Sequence, residues 1–154
     1  MYYVGFRYFI EKYLMNNENF ILDLEGISTI KRFFPGDVLN TQRYTYFINF
    51  GRVDSIPYTR HKQTMNFYNK GKDKLFFDYS FCFISNYLTF KTNKKMKESF
   101  VVVEESELIL FEYSELKVLI EKYDILEKFS QILQEFDRNK VKKIIYRALL
   151  QLEA

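Results

Sequence analysis

The first stretch of the chain is patterned for a helix. Between Tyr2 and Leu14 the apolar residues Phe6, Phe9, Ile10, Tyr13 and Leu14 follow the i, i+3, i+4, i+7, i+8 spacing of one helical face, and Met15-Asn16-Asn17 ends it. The middle switches to short aromatic and β-branched runs. Tyr44-Thr45-Tyr46-Phe47-Ile48-Asn49-Phe50 stops at Gly51, and Arg52 to Tyr58 has similar character, so the two predict paired strands around a glycine. Further strands are predicted over Met65–Tyr68, Leu75–Asp78, Glu98–Val103 and Glu107–Phe111. Phe34-Pro35-Gly36-Asp37 and Asn69-Lys70-Gly71-Lys72-Asp73 carry the residues of turns. In the last third Ser114 is placed to N-cap a helix through about Tyr123. Ile125, Phe129, Ile132 and Phe136 then recur at four, three and four residues, a seam of coiled-coil type. Asp137-Arg138-Asn139-Lys140 interrupts it before Val141, Ile144, Ile145, Ala148, Leu149 and Leu152. The pattern fits one helix with a stutter or two helices broken near Asp137. The predicted class is therefore mainly β with flanking helices, one short at the N-terminus and one long at the C-terminus.

Composition narrows the chemistry. The 154 residues, 47% apolar and 28% charged, suit one globular domain. One histidine and one cysteine argue against a zinc or iron–sulfur site, an internal disulfide, and a His-rich metalloenzyme on a cupin-like roll. No apolar run reaches the ~20 residues of a membrane span, and the N-terminus lacks the pattern of a signal peptide. A reducing cytoplasm is the expected compartment. No membrane partner and no enzyme activity are expected. The net charge of +3 is too small to argue for nucleic acid. Abundant Phe, Tyr, Lys, Asn and Ile with no Trp look like the drift of an A+T-rich genome.

Several motifs stand in a telling order. Tyr46-Phe47-Ile48-Asn49-Phe50-Gly51-Arg52-Val53 resembles an aromatic-Phe-Ile-x-x-Gly-x-Val element. Phe34-Pro35-Gly36-Asp37-Val38-Leu39 resembles the x-x-Gly-Glu/Asp-x-Leu turn before it. Asn69 to Asp73, Tyr87-Leu88-Thr89 and Val103-Glu104-Glu105-Ser106-Glu107-Leu108 complete the set. Over Ile30 to Phe136 the sequence resembles the sensor domain of the Crp/Fnr (cyclic AMP receptor protein) family of transcriptional regulators, nearest to its divergent Bacteroidetes members. The resemblance implies a cyclic-nucleotide-binding jelly roll over 1–124 and a dimerisation helix or helices over 125–154.

It also implies where a ligand would sit. In family members that bind cyclic nucleotides, a short helix, its amides and one arginine hold the phosphate. The corresponding stretch runs from Asp78 to Glu98, and it offers Asp78, Ser85, Asn86, Lys94 and Lys95 as candidate contacts. The usual Gly-Glu pair and the arginine are missing, and lysine lacks the bidentate fork. A small ligand, anionic or nucleotide-like, is therefore expected, but not cyclic AMP with typical affinity. No cofactor is expected. Cys82, between Phe81 and Phe83, reads as a buried small hydrophobe, and His61 as a loop residue.

The resemblance assigns Ile125, Phe129, Ile132 and Phe136 to pairing two subunits as a homodimer; packing on the protein's own roll is the competing assignment. A helix-turn-helix has almost no room after them, so DNA is a partner only if that module is supplied elsewhere. Two functions follow: a sensory domain of a Crp/Fnr-type regulator, or a non-sensing protein-interaction module on the same scaffold.

Overall fold

The computed structural model describes residues 4–57, 77–79, 82–85 and 98–134. Its middle layer follows from two strands too apolar to face water on either side. In β2 (Tyr44–Phe50) residues 45–48 are all buried, and in β7 (Ser106–Glu112) so are residues 106–111. Side chains alternate along a strand, so such a run must be covered on both faces. With β1 (Ser28–Phe33) and β5 (Phe83–Ile84) they form an antiparallel sheet in the order β1-β7-β2-β5. A second antiparallel sheet, β4-β3-β6, is built from β3 (Val53–Pro57), β4 (Phe77–Tyr79) and β6 (Glu98–Val102). Successive strands change sheet repeatedly. Val38 adds an antiparallel bridge to Val101 at the edge of the second sheet.

One face of the first sheet packs on the second. Phe33, Tyr46, Ile48, Leu108 and Leu110 meet Val53, Phe100 and Val102, with Cys82 buried among them. The other face carries the helices. Phe47 sits at the centre, its ring centroid 5.1 Å from Phe6, 5.2 Å from Phe9 and 5.1 Å from Phe83 in edge-to-face contacts, the arrangement aromatic quadrupoles favour.

The first helix, α1 (Val4–Tyr13), buries Phe6, Phe9 and Ile10 of the expected face, whereas Tyr13 is exposed. The pattern predicts no element next, yet α2 (Glu18–Ile27) follows. Asn17, read as a helix end, also begins this helix: its side chain accepts the Phe20 amide at 3.1 Å as an N-cap. Arg7 ties α1 to α2, donating to Glu25 and Glu18, each at 3.0 Å. These carboxylates hold its guanidinium in the charged form.

After β7 the chain enters α3 (Tyr113–Lys122) without a break. Ser114 therefore falls inside the first turn, and the N-cap is Glu112, with no side-chain bond; the predicted serine cap is corrected. The chain turns at Tyr123 and Asp124, which has φ +53, and is helical again over 126–134, as α4. Ile125, Phe129 and Ile132 are buried in the helix-side core with Phe6, Phe47 and Phe83. In this structure the three pack against the chain's own body. Phe136 lies outside the described residues.

Across the same region Tyr123 donates to Asp23 at 2.6 Å, and Lys122 donates to it at 3.2 Å. These bonds, the Tyr123 one foremost, hold the Asp23 carboxyl below its ordinary value of 3.8. The stabilisation is present above that value and is lost as pH falls through the lowered one. Tyr123→Phe is expected to move the Asp23 titration back up, followed by carboxyl NMR; an unmoved titration would mean the bond does not persist in solution.

Of the three glycines in the motifs, Gly36 and Gly51 are described and Gly71 lies outside the described residues. Gly36, at φ +96, completes the predicted turn, closed by the Asp37 amide on the Phe34 carbonyl at 3.0 Å. Gly51, at φ +107, does not join a hairpin as predicted. Among the described strands β2 pairs with β7 and β5, whereas β3 pairs with β4 and β6. A register shift between Ile48 and Phe50 bends the end of β2. Gly51 then carries the chain across to the other sheet, against Ser106, whose hydroxyl accepts the Arg52 amide at 3.1 Å and donates to the Glu104 carbonyl at 2.8 Å.

Candidate functional site

A groove runs over the β1–β7–β2 part of the first sheet. Register places Thr29 beside Leu110 and Leu110 beside Tyr46, so these side chains share the inner face. There they line this groove of about 470 Å³, within the range of small-molecule sites. Its floor is Phe33, Leu110 and Tyr46, exposed by only 8%, 9% and 2%. Lys31 stands at one end; Tyr44, Glu112 and Glu115 stand towards the other, and Val38 and Asn40 form a side wall.

A tight turn before β2 fixes this geometry. The Asn40 carbonyl accepts the Tyr44 amide at 3.1 Å, and its side-chain oxygen accepts the Arg43 amide at 3.2 Å. Its own amide donates to the Tyr46 hydroxyl at 3.0 Å. Burial pushes the Tyr46 phenol up to about 12, so it stays neutral. The Arg43 guanidinium lies over the Tyr44 ring, 5.1 Å from its centroid, with Nε 3.9 Å from Glu112. Lys31 lies 5.2 Å from the Phe33 ring centre.

Of the residues predicted from the family resemblance, Asp78 and Ser85 are described. Asp78 is in β4 opposite Asp54, in the second sheet. The Ser85 hydroxyl is 2.9 Å from that of Thr45. Thr45 alternates with Tyr46 along β2 and so shares the helix-side face with Phe47. Ser85 is thus held away from the inter-sheet space. Asn86, Lys94, Lys95 and His61 lie outside the described residues. The sequence reading missed the groove because its lining comes from β1, β7 and the turn before β2. The alternation of Thr29, Lys31 and Phe33 was the available signal. Among the described residues no group of three His, Cys, Asp or Glu side chains is placed to hold a metal, and no helix is long and apolar enough to cross a membrane.

No family model and no curated protein matches the sequence. Solved structures do match in shape. PKAR CBD2 with Sp-2Cl-cAMPS bound superposes with a TM-score of 0.57 at 10% identity, covering 94% of this chain and 85% of that one. The C-linker/CNBHD of zELK channels, crystallised in the presence of cAMP, gives 0.56 at 15% identity over 82% of this chain and 62% of that one. The chain shares the fold of these two domains. The Catabolite Activator Protein of Thermus thermophilus gives 0.51 at 11% identity over 86% of this chain; the chain spans 60% of that protein's length. At such identities the likeness is one of architecture, and the chemistry has to be argued from the chain's own residues.

Proposed function

We propose that the chain is the sensory and regulatory domain of a Crp/Fnr-type transcriptional regulator, holding a small ligand inside its jelly roll. The observation that carries this reading is the open groove on the inner face of the first sheet. Aromatic side chains floor it without filling it, whereas a roll serving only as scaffold would be packed solid. A homodimer would pair through 125–154, with Ile125, Phe129, Ile132 and Phe136 as its seam.

Cyclic AMP itself fits poorly. The stretch from Asp78 to Glu98 contains no arginine to grip a phosphate, and the groove sets Lys31 against Glu112 and Glu115. Titration calorimetry with cyclic AMP is expected to show no stoichiometric binding tighter than about 1 μM; tight binding would overturn the exclusion. A chain that takes no small molecule from a panel of nucleotides, organic acids and amines would instead be the protein-interaction module.

A further inference from the structure

The geometry points to a class of ligand for the groove: a small organic cation, an amine or guanidinium carried on a flat apolar body. This rests on the sensing reading above and reverses the charge that the family resemblance implies.

The floor of Phe33, Tyr46 and Leu110 offers a broad apolar surface with no charge of its own. Formal charge is then decided at the rim. Lys31 pairs in register with Leu108, four residues along β7 from Glu112, which is about 13 Å at the rise of a strand. Among the described lining residues, Glu112 and Glu115 therefore stand at the Tyr44 end without a lysine beside them. Carboxylates next to an aromatic face attract cations and repel phosphates.

The chain already displays this recognition with a group of its own. The Arg43 guanidinium occupies the Tyr44 face and leans towards Glu112. That contact is loose: 3.9 Å is too long for a hydrogen bond, and the Arg43 and Glu112 side chains are 62% and 43% exposed. The backbone beneath is fixed, because the Arg43 amide is held by Asn40 and its carbonyl accepts the Tyr113 amide at 2.9 Å. Arg43 can swing aside while its strand stays in place. It acts as a built-in competitor for the site that a ligand cation would take.

Benzamidine is the direct probe, with neutral benzamide and anionic benzoate as isosteric controls, each titrated to millimolar concentration into the ¹⁵N-labelled chain. Benzamidine is expected to shift the amides of 27–33, 40–46 and 108–115, with benzoate silent. Glu112→Gln should weaken it by about 5-fold, the upper range for an exposed charge pair. Arg43→Gln should strengthen it, a gain that a purely structural arginine would not give. The proposal is overturned if benzoate or benzamide binds as tightly, if the shifts map elsewhere, or if both substitutions leave affinity unchanged. A nucleotide that shifts the groove while benzamidine is silent overturns the cation and leaves the sensing reading standing. Silence of amines, acids and nucleotides alike overturns both.

Discussion

Gly51→Ala is expected to remove about 3–5 kcal/mol of folding stability, from left-handed backbone strain together with steric overpacking. Each cause is visible at the corner. The backbone stands at φ +107, and a β-carbon there would come within 2.0 Å of the Ser106 oxygen, 2.4 Å of its β-carbon and 2.6 Å of its α-carbon. The last of these is backbone of a central strand and cannot move aside cheaply. Two other glycines separate the terms. Gly36 shares the positive φ, at +96, but a β-carbon there meets nothing within 4 Å, so Gly36→Ala should cost only about 1–2 kcal/mol. Gly26, in α2, has open space around it and no positive φ, and its replacement by alanine should stabilise by up to about 1 kcal/mol. Urea unfolding of the three variants reads the series directly. A Gly51→Ala loss no larger than that of Gly36→Ala would show that Ser106 does not close the corner.

The same corner shows what the sequence could and could not tell. Tyr44 to Phe50 was legible as a strand ending at Gly51 because alternation and β-branching are local. Its partner was not legible. Which sheet a strand joins is decided by which faces are left to bury, and that depends on residues far along the chain, Ser106 to Glu112 among them. The cap of α3 failed for a related reason: Ser114 has the right chemistry, but β7 runs directly into the helix and leaves it two residues too late. α2 announced itself only through Asn17 and the apolar trio Phe20, Ile21 and Leu24. For the site, resemblance drew attention to the stretch after Asp78. The groove instead gathers ordinary residues from three separate segments, and no local spacing marks them. Sequence order gave the fold class; only the register of β1 on β7 and of β7 on β2 brought Lys31, Tyr44 and Glu112 to one rim.

Phe129→Ala is expected to be as damaging, and it decides between two lives for the C-terminal segment. The Phe129 ring is 1% exposed and meets Phe83 edge-to-face at 5.4 Å. Truncating a phenylalanine so placed costs about 3–5 kcal/mol. If α4 is part of the chain's own core, that loss and the melting temperature will not depend on protein concentration. A seam between subunits predicts the opposite, since association stabilises by mass action and melting would rise with concentration in the unmodified chain. Val118, 62% exposed on α3, supplies the contrast, and Val118→Ala should stay within about 0.5 kcal/mol. Periodicity cannot separate these cases, because an apolar stripe at four and three residues serves any neighbour that covers it. Here the neighbour is Phe83, which β5 holds against Phe47 on the helix side of the sheet. A Phe129→Ala chain that keeps its melting temperature but loses a dimer in sedimentation would return the seam to its intersubunit role.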